Sequence, residues 1–157
     1  MNIELIVVGK TDMKEVNTLV EMYNKRIKHY VNFTITYLPD LRNTKNISEQ
    51  QQKTAEGELL LAGINPADFV ILLDEAGDEM RSVEFADWLQ KRMNSGVRRL
   101  AFMIGGPYGF SDAVYKRANA KLSLSQMTFS HQIVRAIFTE QLYRAFTIIK
   151  GEPYHHE

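Results

Sequence analysis

The stretch FMIGGPYGFS, residues 102–111, places Gly105, Gly106, Pro107 and Gly109 within one short segment and ends it on Ser111. Glycine accepts unusual backbone angles and leaves room for a ligand to lie on the main chain. Proline fixes the turn, and Ser111 can open a helix whose N-terminus meets an anion. A tight turn selected for geometry alone explains the same residues equally well. The spacing is not G-x-G-x-x-G and falls late in the chain, which argues against a dinucleotide fingerprint. A second stretch, LSLSQMTFS at residues 122–130, interleaves small polar residues with Leu124, Met127 and Phe129. Backbone donors and acceptors beside an apolar wall suit a flat heterocycle such as adenine. An ordinary connecting loop is the competing reading.

Other motifs are weaker. VVGKTD at residues 7–12 looks like a P-loop, but the glycine required five residues before Gly9-Lys10 is Glu4, inside an apolar run. LLDEAGDEM, residues 72–80, looks like a Walker B strand end at Asp74 and Glu75, without the P-loop it would serve. Read without that partner, it is a polar turn, with Leu73 at the strand tip and Gly77 permitting a close turn. His131 and Arg135 share a helical face, and Glu140 precedes Arg144 by four residues, the order that favours an ion pair. A solvated face with one surface salt bridge accounts for both pairs, although Arg135 sits among apolar neighbours. The terminal PYHHE carries two adjacent histidines. No further His or Cys spacing supports a metal site there, and pattern alone reads it as a disordered tail.

These residues need a scaffold, and the hydrophobic pattern predicts one. Strands are expected at Ile3–Gly9, Phe33–Leu38, Asp68–Asp74, Val97–Gly105 and, briefly, within Lys121–Met127. Helices are expected over Lys14–Tyr30, from a Ser48/Gln51 capping box to Leu61, from Ser82 to Met93, from Ser111 to Ala118, and from Ser130 towards Pro153. Pro39 to Asn46 is polar and breaker-rich. This alternation predicts an α/β fold, a mostly parallel sheet with helices on both faces, in a single domain spanning residues 1–157. In such sheets ligands bind beyond the carboxyl ends of strands. The loops after Asp74, Ile104 and Leu124 are therefore the places to look.

Composition narrows the class. The chain has 157 residues, 45% hydrophobic and 24% charged, ordinary values for a soluble globular protein. It has no cysteine, which removes disulfides, thiolate metal sites and thiol nucleophiles. No apolar run approaches a membrane span and the N-terminus lacks signal-peptide features, so the cytoplasm is expected. Lys+Arg and Asp+Glu both number 19, so no global field draws in nucleic acid. Local basic spots remain at Lys25-Arg26-Lys28, Arg42 with Lys45, Arg98-Arg99, Arg135 and Arg144, and phosphate contacts are local.

Taken in order, VVGK, LLDEAG, IGGPYGFS, LSLSQMTFSH, QIVRAIFTEQLYRAF and PYHHE resemble the ribosomal RNA large subunit methyltransferase H family, over essentially the whole chain. The family belongs to the SpoU–TrmD-like (SPOUT) methyltransferases. The resemblance implies a C-terminal trefoil knot, invisible to hydrophobic pattern. It implies a homodimer with the active site at the subunit interface, and S-adenosylmethionine as methyl donor to N3 of a pseudouridine in large-subunit (23S) ribosomal RNA. By carry-over the cofactor pocket takes Leu73, Gly105, Gly106, Leu124, Ser125, Gln126, Met127, Thr128 and Phe129, the two glycines giving the cofactor backbone to lie on. The catalytic candidates are His155, Tyr154, Arg144, Glu140 and Arg135. His155 is favoured as base or positioning group, and Arg144 as phosphate or anion contact. No metal and no membrane are involved. The terminal YHH becomes an ordered active-site tail. His156 stands where the family usually has Lys or Arg, which predicts RNA binding that weakens above neutral pH. Neutral net charge points to an assembled ribosome rather than naked RNA as the substrate.

Overall fold

The computed structural model describes residues 1–41 and 44–156. Arg42, from one basic spot, and Glu157, the last tail residue, lie outside the described residues. The elements run β1 (Asn2–Val8), α1 (Lys14–Ile27), β2 (Asn32–Leu38), α2 (Glu49–Ala62), β3 (Phe69–Glu79), α3 (Ser82–Asn94), β4 (Arg99–Ile104), α4 (Asp112–Arg117), β5 (Ala120–Ser123) and α5 (Ile133–Ile149). The five strands form one sheet in the order β2-β1-β4-β3-β5. Every strand pairing in it is parallel.

Strand order and the right-handed crossover rule together place the helices. The β1→β2 and β3→β4 connections step towards one edge, the β2→β3 and β4→β5 connections towards the other. Opposite steps put α1 and α3 on one face and α2 and α4 on the other. Packing agrees: α5 joins α1 and α3, while α2 contacts α4. Residues alternate accordingly along each strand. Leu5, Val7, Ile71, Phe102 and Ile104 pack with Phe138, Leu142 and Phe146 of α5. Ile6, Val8, Val70, Leu72 and Met103 pack with Leu60 and Val114 on the other side.

Local signals match in several places. Ser48 and Gln51 form the capping box that opens α2. Ser111 caps α4, accepting from the Val114 N–H at 3.4 Å. Ser130 Oγ accepts from the Ile133 N–H at 3.1 Å, capping a turn that leads into α5. Two expectations are corrected. Arg81, not Ser82, is the cap of α3, its N–H donating to Glu84 Oε2 at 2.6 Å. The Ser82 hydroxyl is spent on Gln141 of α5, at 2.8 Å. β3 does not end at Asp74 in a polar turn but continues to Glu79, with a register shift against β5 between Leu73 and Asp78. Gly77 serves that crossing, because a Cβ there would lie 2.7 Å from the Lys121 backbone. Among the described residues no helix is long and apolar enough to cross a membrane.

Candidate active site

At the carboxyl ends of β3, β4 and β5 lies a cavity of about 640 Å³. It sits where the chain leaves β3 for a helix on one face and β4 for a helix on the other, the crevice that open α/β sheets use for ligands. Of the nine expected cofactor residues, eight line it: Leu73, Gly105, Gly106, Leu124, Ser125, Met127, Thr128 and Phe129. Gln126 is exposed and outside the lining.

The loop after β5 is shaped by its own hydroxyls. Ser123 Oγ donates to the Ser125 carbonyl at 2.9 Å, and Ser125 Oγ accepts from the Met127 N–H at 2.9 Å. Thr128 Oγ1 donates to Glu75 Oε2 at 2.7 Å, tying this loop to β3. Asp74 accepts from the Ala76 N–H at 2.8 Å and from the Tyr115 hydroxyl. Burial, and then that bond, push the Tyr115 phenol up to about 12, so it stays a donor. The charged residues lining the cavity are Asp74 and Glu75, with His131 as the other titratable non-tyrosine group. Among the described residues no lysine or arginine faces it. An acidic, half-apolar cavity favours a cation joined to a flat apolar body and opposes phosphates.

The glycines have an internal explanation, the tight turn that sequence offered as the alternative to ligand room. Gly109 folds back on Gly106, with its N–H donating to the Gly106 carbonyl at 3.1 Å and φ at +82°. A Cβ on Gly105 would lie 3.2 Å from the Gly109 backbone, and one on Gly106 would lie 2.5 Å from the Glu56 carboxylate. Backbone room for a ligand is therefore not what these two glycines alone require. Glu56 was missed by sequence reading. It sits on α2, 4% exposed, pressed against Gly106 from behind the cavity wall.

The P-loop look-alike is closed by the residue least at home on a solvated face. Arg135 is 1% exposed. Its guanidinium donates to the carbonyls of Gly9 and Val8, each at 2.9 Å, to Thr11 Oγ1 at 3.1 Å and to the His131 carbonyl at 3.0 Å. It is a clamp between the end of β1 and the start of α5, not a member of the tail cluster.

The other four catalytic candidates do come together. Arg144 Nη2 donates to Glu140 Oε1 at 2.6 Å, and Tyr154 OH donates to the same oxygen at 3.0 Å. The guanidinium lies 4.9 Å over the Tyr154 ring. Arg144 Nη1 is 3.0 Å from His155 Nδ1. Arginine only donates, so Nδ1 accepts and the His155 proton sits on Nε2. In this arrangement the Nδ1 lone pair of His155 is taken by Arg144, which suits positioning better than proton removal by that nitrogen. Burial, with Tyr23 and Glu140 close by, raises the Tyr154 pKa above its ordinary value. The tail is thus tied down over α5 rather than loose. Arg144 lies ten residues past Val134, the helix residue lining the cavity, or about 15 Å along the axis. Within one chain the cavity and the tail cluster are separate.

Of the basic spots, Arg99 pairs with Glu4 and Asp68. Arg135 is internal. Among the described residues no cluster of three or more His, Asp or Glu is arranged to hold a metal.

An all-parallel α/β sheet with an acidic cavity at its carboxyl edge is the architecture against which the comparisons fall. Residues 1–155 match the family described as "Predicted SPOUT methyltransferase", and the chain belongs to the SPOUT methyltransferases. It is 59% identical over 156 residues to the ribosomal RNA large subunit methyltransferase H of Christiangramia forsetii, covering 99% of each chain. It is 59% identical over 157 residues to that of Flavobacterium psychrophilum, covering 100% of each. To that of Parabacteroides distasonis it is 53% identical, again over 100% of each chain.

Proposed function

We propose that this methyltransferase acts as a homodimer, takes S-adenosylmethionine in the cavity, and methylates N3 of a pseudouridine in large-subunit ribosomal RNA on the assembled ribosome. The observation that carries the cofactor reading is the cavity's charge: Asp74 and Glu75 on its lining and, among the described residues, no lysine or arginine. Phosphate-bearing nucleotides are disfavoured there, whereas an adenosine carrying a cation fits. When bound, S-adenosylmethionine supplies a methyl group on a positively charged sulfur whose departure leaves a neutral thioether. The SPOUT knot belongs to the same reading.

The protein's task is mainly alignment of acceptor nitrogen and methyl carbon. The N3 proton must also leave, to solvent water, and a cation beside the resulting imide anion lowers that cost. Arg144, positioned by Glu140, supplies the charge. His155 supplies the Nε2–H that meets a base carbonyl or phosphate, and Tyr154 fixes the tail that carries it. Since one chain holds cavity and tail apart, a second copy brings its tail to the cavity. Exposed Tyr108, Tyr115 and Met127 border the cavity and give that copy an apolar rim to cover. The substrate follows from the relatives' name and full-length similarity, and neutral net charge favours a structured ribosomal surface. The test is transfer of labelled methyl to ribosomes from a strain lacking this gene, followed by mapping. Label at N3 of a large-subunit pseudouridine is expected. Label on another RNA, or no transfer with the cofactor bound, overturns the substrate.

A further inference from the structure

Glu56 is the residue that fold and proposed mechanism leave unexplained. It is 4% exposed, and its Oε1 has no hydrogen-bond partner. Its Oε2 receives only a long 3.5 Å contact from Gln52 Nε2, one turn earlier on α2. No lysine or arginine among the described residues pairs with it. A buried carboxylate left in this state is costly, and such a cost persists where function holds it. The carboxylate abuts Gly106, whose other side lines the cavity; a Cβ on Gly106 would lie 2.5 and 2.6 Å from its two oxygens. The wall between them is one residue of backbone with no side chain.

We propose that Glu56 reads the charge of the cofactor through the Gly106 wall, favouring the cationic sulfonium donor over the neutral thioether product. This rests on the cavity being the S-adenosylmethionine site. A cavity of this volume is about 10 Å across, so its contents lie within reach of a buried charge that solvent does not screen. Half-buried Asp74 and exposed Glu75 also face the cavity and add to its preference for a cation, but each is hydrogen-bonded. Glu56 alone is both desolvated and unpaired. Discrimination of this kind helps turnover, because it favours release of the product once the positive charge has left.

Among the described residues, the charged group acting on Glu56 from neighbouring elements is Asp40, after β2, whose charge also acts on the buried Arg135. From the Gly105–Gly109 turn the Gly106 backbone abuts it. Burial, then Asp40, raises the Glu56 pKa, with Gln52 acting in the opposite direction. A cation in the cavity therefore draws a proton off Glu56, and preference for the cation grows with pH. The His131 imidazole also lines the cavity.

Binding is measured by calorimetry on the full-length dimer with three ligands: S-adenosylmethionine, S-adenosylhomocysteine, and sinefungin, which carries an amine cation in place of the sulfonium. In Glu56→Gln, preference for each cationic ligand over S-adenosylhomocysteine falls about five- to fifteen-fold, while S-adenosylhomocysteine binds as before. Equal weakening of all three ligands makes Glu56 a prop for the turn and overturns the proposal, as does an unchanged ratio. If Glu56→Gln does not fold, the ratio is followed from pH 5.5 to 8 in His131→Asn. A ratio that climbs with pH supports the proposal and a flat one overturns it. Failure of all three ligands to bind the native protein instead overturns the cavity assignment.

Discussion

Glu56 makes opposite demands on stability and on binding. Its raised pKa means that folding favours the protonated form. The stability it contributes is complete below the ordinary carboxyl pKa of about 4.3 and is lost as pH rises through its higher folded value. Glu56→Gln keeps the neutral shape at every pH. The variant is expected to melt a few degrees above the native protein at pH 8 and to match it near pH 4, in thermal scans at both values. An equal difference at both pH values would show that ionisation is not the cause. Tyr154 makes the contrasting case. Its raised pKa keeps it a phenol throughout the working range, so it contributes a donor and a ring and no titration. Tyr154→Phe should lower methyl transfer less than about ten-fold with an unchanged pH profile, whereas Arg144→Ala should cost at least about a hundred-fold, both read as single-turnover rates. At this level the sequence was only partly legible. Glu140 and Arg144 announce themselves by helical spacing. Glu56 does not, because its partner Gly106 lies far along the chain and α2 reads as a polar helix. The one local clue is Gly57, a glycine inside a helix, which marks close packing. A Cβ there would lie 2.4 Å from Ser111 Oγ, and that approach draws Glu56 inward.

Arg135 shows how elements are held in register around the site. It joins the carbonyl end of β1 to the first turn of α5, whose approach presents His131 and Val134 to the cavity. Arg135→Lys keeps the charge but cannot span Val8, Gly9, Thr11 and His131 with one ammonium. It should lose about 3 kcal/mol, or roughly 6–12 °C in melting temperature, because buried carbonyls are left unsatisfied. The turn after β4 makes a second prediction. Gly106→Ala places a methyl against the Glu56 carboxylate and should abolish cofactor binding by displacing the wall. Adding Glu56→Ala removes the obstruction and should restore binding of S-adenosylhomocysteine, measured by calorimetry. No restoration would mean that Gly106 is needed for backbone contact with the ligand itself. The alternation of strands and helices and the parallel sheet were foreseeable from apolar runs, whereas the strand order β2-β1-β4-β3-β5 was not, because it depends on tertiary path. The extension of β3 to Glu79 was not, because acidic residues and Gly77 imitate a turn while the strand carries on beyond its pairing with β4, beside β5, where solvent accepts them.

The whole molecule has equal numbers of acidic and basic residues, and two of its sequence-visible basic spots are spent internally on Glu4, Asp68 and the β1 carbonyls. What remains fits local contact with a preformed RNA surface better than capture of free RNA by a long-range field. Pattern reading located the cavity loops, because carboxyl strand ends are where parallel sheets bind ligands. It could not show that the tail cluster lies away from that cavity, since distance between sites depends on tertiary path. In the proposed reading, a site whose halves lie apart in one chain makes dimerisation part of the chemistry. Ser125→Arg places a bulky cation in the cavity of one chain, and ending a second chain after Pro153 removes Tyr154 and His155. Each variant alone should be inactive. Co-refolded in equal amounts, they should recover about a quarter of native methyl transfer to ribosomes, because half the dimers are mixed and each has one intact pair of cavity and partner tail. Recovery on mixing is the result predicted; a mixture as inactive as its parents would show that cavity and tail of the same chain work together, and would contradict the composite site.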